Sequence, residues 1–275
     1  MAERPYSFSK RYMPITVHGV SGTQRVSVQN YLSGSPWNKK FNRAVLWDLR
    51  CFLAKKERYK DGAHGADHHY WDDKDGLNAY DLAGSGYFLS WLYVPMSWKQ
   101  LQFAFYGKGT PDDFRNALRI IDYYLLYAQM RLSAVHWNYR MSLADYAKWY
   151  LGMDCNGFTG SYLKTFYPEL GIGPNDDINY LDTKLKKRGD LEDVRSGDIL
   201  SREGGSGTRH VAMIDAVWPN PFAGSGRSVT VTHSSGTYHG LGTQWHTLKH
   251  HPNSSLKWEL VGYYKFNHCL ALNKK

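Results

Sequence analysis

The sequence predicts an α+β fold on three observations. Helical signals dominate residues 110–166. Short β-branched and aromatic runs dominate residues 197–266. Helices grouped ahead of strands, rather than alternating with them, favour helices packed on a C-terminal antiparallel sheet. At 275 residues, 42% hydrophobic and 21% charged, the chain is long enough to bury a core and too apolar to be disordered.

Residues 1–36 read as short strands and turns. Ile15-Thr16-Val17 and Arg25-Val26-Ser27-Val28 alternate, and Gly19, Gly22 and Gly34 break them. Residues 41–58 read as a helix ending in Lys55-Lys56-Glu57-Arg58, with Cys51 on its apolar face. Residues 60–86, rich in Gly, Asp and His, read as loop, and 87–106 as an aromatic segment. Gly107-Lys108-Gly109-Thr110-Pro111 is the strongest boundary signal. It divides an N-terminal accessory region, 1–109, from a second domain, 110–275. Thr110-Pro111-Asp112-Asp113 supplies an N-cap, a first-turn proline and first-turn acids, and starts a helix through Leu118, Ile121, Leu125 and Met130. A second helix spans Ser142 to Tyr150. Residues 176–193 read as loop and short helix, with Lys184-Leu185-Lys186-Lys187-Arg188 as a solvated helix end. Strands come next at 197–202, 209–217, 228–233 and 258–266.

The chemistry centres on Met153-Asp154-Cys155-Asn156-Gly157-Phe158. Phe158, Tyr162, Leu163 and Phe166 recur at three- and four-residue steps, the mark of a helix with one apolar face. Cys155 then sits at the helix N-terminus, where free N–H groups favour an anion and should lower the thiol pKa. A buried structural cysteine is the other reading. Two histidines strengthen the first: His210 opens a strand in Thr208-Arg209-His210-Val211-Ala212-Met213-Ile214, and His233 closes one in Val231-Thr232-His233-Ser234-Ser235.

The order Asp154-Cys155-Asn156-Gly157-Phe158, Ser196-Gly197-Asp198-Ile199, His210-Val211-Ala212-Met213, then His233-Ser234-Ser235 resembles the NlpC/P60 family of papain-like cysteine peptidases. The resemblance covers residues 140–265. It implies a papain-like core with Cys155 as nucleophile, His210 as base and His233 orienting that base. Asp154 and Asn156 flank the nucleophile and would help bind the substrate's amino end, with Tyr150 and Ser234 as further substrate contacts. Asn156 stands where the family has Ser, Ser196 where it often has Pro, and Ala212 where it has Gly; the first departure bears on substrate identity. An upstream side chain completing the oxyanion hole would be Tyr146 or Tyr150. The implied substrate is a peptidoglycan stem peptide, cleaved at an amide such as one following D-Glu, with a muramoyl–alanine bond second. No cofactor is implied.

Net charge is +9 and aromatics reach 15%. Both fit a polyanionic, sugar-rich wall, and no nucleic-acid module is recognisable. Cys51, Cys155 and Cys269 are too few and too far apart for a disulfide framework. The His64 to Gly76 segment holds metal-capable groups, yet Trp71 and Leu82 would occupy ligand positions of a calcium loop, and Gly65 opposes a helix bearing His64 and His68; it reads as a polar loop. His239, His246, His250 and His251 lack partners at ligand spacing and read as surface or cleft residues. The N-terminus lacks an apolar signal-peptide core, and residues 87–106 are too interrupted to span a bilayer. The expectation is cytoplasmic synthesis, with access to a wall through phage lysis or a secretion apparatus. Two other classes remain open: an intracellular cysteine acyltransferase or amidase, and a non-catalytic binding module of the same fold.

Overall fold

The computed structural model describes residues 2–28, 30, 31, 49, 94, 96, 98–131, 141–174, 176–202, 209–219, 226–236 and 240–274. The expected helix over 41–58 (Leu49 aside), Cys51, the 60–86 loop, most of the 87–106 segment's first half and His239 lie outside these residues. In chain order the helices are α1 (Pro5–Ser9), α2 (Trp98–Phe105), α3 (Pro111–Arg131), α4 (Leu143–Tyr150), α5 (Cys155–Phe166) and α6 (Ile178–Lys184). The strands are β1 (Ile15–Gly19), β2 (Gly22–Val26), β3 (Leu185–Lys187), β4 (Ile199–Arg202), β5 (His210–Trp218), β6 (Gly226–Ser235), β7 (Gly240–His250), β8 (Trp258–Leu260), β9 (Tyr264–Phe266) and β10 (His268–Lys274). The fold is α+β with a curled antiparallel sheet. Among the described residues no helix is long and apolar enough to cross a membrane.

The chain divides into two compact units. One comprises Met1–Met13, Gln29–Tyr31 and Met153–Lys275; the other comprises Pro14–Val28 and Leu32–Gly152. The signal at Gly107–Pro111 therefore lies inside the second unit, and residues 2–13 belong with Cys155 rather than with an accessory region. The physical reason is local. Gly107 takes a left-handed φ of 72° and stops α2, and Thr110 starts α3, so the glycines and proline separate two helices of one body.

In the second unit, α3 begins with a reciprocal cap. Thr110 Oγ1 accepts from the Asp113 N–H at 3.2 Å, while Asp113 Oδ2 accepts from the Thr110 N–H at 2.9 Å. Ser142 Oγ caps α4 in the same way, accepting from the Asp145 N–H at 3.1 Å. The strands β1 and β2 form a hairpin in which Gly19 pairs with Gly22. Gly22 has a φ of 103°, which a residue with a Cβ rarely adopts. Asp122 on α3 accepts from the Ser21 N–H at 2.9 Å and from Gln24 Nε2 at 2.8 Å, fixing the hairpin to the helix.

In the first unit the strand order is β3-β10-β4-β5-β6-β7-β8-β9. The expected strand over 258–266 is two strands, because the turn at Val261–Tyr263, with Gly262 at φ 79°, reverses the chain. The sheet curls so that β9 returns to β4 and β5: the Asn267 N–H donates to Ser201 O at 2.9 Å, and the Tyr264 ring stacks on His210. The curl encloses a core of Leu200, Ala212, Ile214, Val229, Val231, Leu248, Trp258 and Phe266. Burying such side chains supplies about 1.5–3 kcal/mol each.

The helix α5 packs on β5 and β6. Its apolar residues Phe158, Tyr162 and Phe166 meet Phe8 of α1, with ring centroids 5.9, 5.5 and 5.6 Å apart. Gly160 lies so close to the backbone of Gly173 and Pro174 that a Cβ there has no room. The N-terminal segment is held from its polar side by Asp215 on β5, which pairs with Arg4 and accepts from the Tyr6 N–H at 2.8 Å.

Candidate active site

Cys155 is the first residue of α5, and Asp154 precedes it with the extended φ/ψ of an N-cap, −82° and 148°. The apolar spacing of α5 and the N-terminal position of the cysteine are both as the sequence reads. The expected lowering of the thiol pKa is reversed. Burial pushes the Cys155 thiol well up, and the Asp154 carboxylate adds to this by its charge and by accepting from Sγ at 3.6 Å. The backbone N–H groups of Val211 and Asn156 act the other way and are outweighed. Only 4% of Cys155 is exposed. A helix end favours an anion by roughly 1 kcal/mol, which loss of hydration readily exceeds.

The contact with Val211 brings Cys155 beside the strand that starts at His210. His210 is buried, and its Nε2 meets Nδ1 of His233 at 2.7 Å. In the register, Leu200 on β4 lies opposite Ala212, so His210, Ala212 and Ile214 share the face that lines the enclosed core. The Tyr264 ring stacks on His210 at 4.6 Å and meets His233 edge-on at 5.8 Å. Tyr264 OH is paired with Ser235 Oγ at 2.7 Å. Both histidines are thus held between β5, β6 and β9. Burial lowers His210 to about 3 and His233 to about 4, so both rings are neutral at pH 7.

The three residues read as a triad therefore lie in one unit, with the two histidines directly bonded. The hydrogen bond expected between Cys155 and His210 is not formed among the described residues. Nε2 of His210 is committed to His233, which leaves Nδ1 as the ring nitrogen for a nucleophile.

The remaining expected contacts separate into different roles. Ser234 Oγ donates to Met153 O at 2.6 Å and is fully buried, so it anchors the residue before Asp154 to β6. Asn156 Nδ2 donates to Asp176 O, tying the start of α5 to the loop ahead of α6. Both polar groups are thereby engaged in holding the nucleophile's backbone. Tyr146 and Tyr150 are buried on α4 in the other unit, their rings 4.7 Å apart. Asp198, from the Ser196-Gly197-Asp198 segment, binds the Arg188 guanidinium through two 2.9 Å bonds and accepts from the Arg195 N–H at 2.8 Å, setting the entry to β4.

Two residues near the site carry no signal in the sequence. Tyr31 bridges to Met153, and the Met153 N–H donates to Asn30 O at 2.7 Å. Its hydroxyl pKa is pushed up to about 12, first by burial and then by the charges of Cys155, Asp154 and Tyr264. Its ring covers Gly236, where a Cβ would lie 3.1 Å from it. A tyrosine hydroxyl beside the cysteine is a candidate donor to a developing oxyanion, a position that sequence reasoning assigns to Tyr146 or Tyr150. Nothing in residues 1–36 marks Tyr31, because its place depends on pairing with a residue more than a hundred positions away. Tyr264 is hidden because it lies in a run that reads simply as strand.

Among the described residues no group of three or more His, Cys, Asp or Glu is placed to hold a metal ion. No family model, curated protein or solved structure matches this chain.

Proposed function

We propose that this protein is a cysteine hydrolase of the papain-like, NlpC/P60 type, with Cys155, His210 and His233 as nucleophile, base and orienting group. The observation that carries the reading is the 2.7 Å bond between the two buried histidines, beside a cysteine at a helix N-terminus whose sulfur lies against Val211, the neighbour of His210. His210 Nδ1 takes the thiol proton as Sγ attacks an amide carbonyl. The Cys155 N–H, at the free end of α5, donates to the oxyanion with Tyr31 as side-chain partner. The imidazolium then protonates the leaving amine, and water cleaves the thioester by the same route in reverse. Because both resting groups are neutral, the proton moves during the attack and not before it.

The substrate class rests on the motif resemblance, supported by the +9 charge and the aromatic content. It is an amide in a peptidoglycan stem peptide, and residues 14–28 and 32–152 are read as the accessory part. Access to a wall would come through lysis or a secretion apparatus. Burial of Cys155 and the missing bond to His210 favour a second reading, a binding module that keeps the fold without turnover. Mass spectrometry of muropeptides incubated with the protein separates the two. Time-dependent release of a stem-peptide fragment by the wild type and none by Cys155→Ala supports the hydrolase. Unchanged muropeptides with both proteins would reject this substrate.

A further inference from the structure

The antiparallel pairing of β6 with β7 places His233 opposite Gly242 and Val231 opposite Gln244. His233 and Gln244 are therefore diagonal neighbours on one face, within reach of long side chains. Gly242 has no side chain, and open space surrounds the point where its Cβ would be, so nothing from that residue stands between them. Gln244 Oε1 is buried and makes no hydrogen bond to another described group. The side chain acts on His233 as an acceptor does, favouring the protonated ring, against the opposing effects of burial and of His246. An amide oxygen can only accept, and with Nδ1 of His233 facing His210, Nε2 is the ring nitrogen left to donate to it.

We propose that Gln244 is a positioning residue that sets the direction of the two-histidine relay. With Nε2–H of His233 donated to Gln244 Oε1, Nδ1 of His233 carries a lone pair and accepts. It then takes the Nε2–H of His210 across the 2.7 Å bond. Nδ1 of His210 is left as a lone pair on the side of the ring away from His233, the form a base for Cys155 needs. In turnover the thiol proton passes from Sγ to His210 Nδ1 and on to the leaving amine. During thioester hydrolysis a water proton passes to Nδ1 and back to Sγ, so no proton is gained or lost. Without an acceptor at 244, the His233 proton can sit on Nδ1 and donate to His210 Nε2. His210 must then carry its own proton on Nδ1, where it cannot act as a base.

The kinetic consequence rests on the hydrolase reading, while the tautomers do not, and the test keeps the two apart. Long-range proton–nitrogen correlation spectra of the histidine rings report which nitrogen holds the proton, with His210 and His233 assigned by single substitution. Both rings should be Nε2–H in the wild type at neutral pH. Gln244→Leu should move His233 toward Nδ1–H and lower kcat roughly ten- to hundredfold at similar KM, the cost borne when outer partners of functional histidines are lost. Gln244→Glu, whose carboxylate still accepts, should keep Nε2–H and more activity than the leucine variant. If the leucine variant does not fold, Gln244→Asn, too short to reach His233, gives the same readout. An Nδ1–H tautomer of His233 in the wild type, or unchanged tautomers without the acceptor, would overturn the relay. Responsive tautomers in a protein that cleaves no muropeptide would uphold the relay and remove the hydrolase reading instead.

Discussion

His233→Ala should lower kcat by roughly two to three orders of magnitude while KM changes little, the range in which a positioned acid–base partner contributes. The loss arises in the transition state. In the proposed mechanism His210 gains a proton as the thiol attacks, and the charged ring would then be stabilised by donating Nε2–H to His233 Nδ1 across 2.7 Å. Truncation removes that acceptor and leaves a donor facing a cavity, since His233 is 1% exposed. His233→Asn and His233→Gln should each retain more activity than alanine, because either amide oxygen can accept the same proton. Steady-state kinetics of the three variants, with melting temperatures to confirm folding, measure this. Alanine activity equal to wild type would remove His233 from the mechanism.

Alkylation of Cys155 should be slow at neutral pH and should climb through the alkaline range without a plateau near pH 6. A raised thiol pKa means that the reactive thiolate appears only above the range of an ordinary cysteine, whose pKa is about 8.5. With His210 lowered to about 3, no imidazolium is present at pH 7 to hold a thiolate. Iodoacetamide labelling at pH 7.5, followed by peptide mapping, should proceed at least about tenfold slower at Cys155 than at free cysteine. Asp154→Asn should accelerate it, because it removes the carboxylate charge and leaves only a weaker, neutral acceptor for the thiol proton. Rapid labelling with a plateau between pH 5 and 7 would show a preformed thiolate–imidazolium pair, and with it a rearranged site.

The legible parts of the chain are those decided by neighbours in sequence. Thr110 and Ser142 cap their helices as their spacing to Asp113 and Asp145 implies. The α5 face follows the aromatic period from Phe158 to Phe166, and β4, β5 and β6 fall on the expected runs. The strand β7 is not legible because its core-facing residues include Gly242, Gln244 and His246, so the apolar alternation that announces a strand is absent. The basic run from Lys184 hides β3, a three-residue edge strand paired to β10. The helix α1 is a single turn, too short to show a period, and is placed by Asp215, about two hundred residues away. The thiol is divided in the same way. Its helix terminus is a local property and is legible; the burial that dominates its chemistry comes from the sheet and has no trace among its neighbours in sequence.

If Cys155 carries the acyl group, intact-protein mass spectrometry after acid quenching of a reaction with a stem-peptide substrate tests it most directly. A transient mass increase equal to the acyl portion, mapped to Cys155 and absent from Cys155→Ala, is the predicted result. Substrate cleavage that persists in Cys155→Ala, or an adduct on another residue, would contradict it.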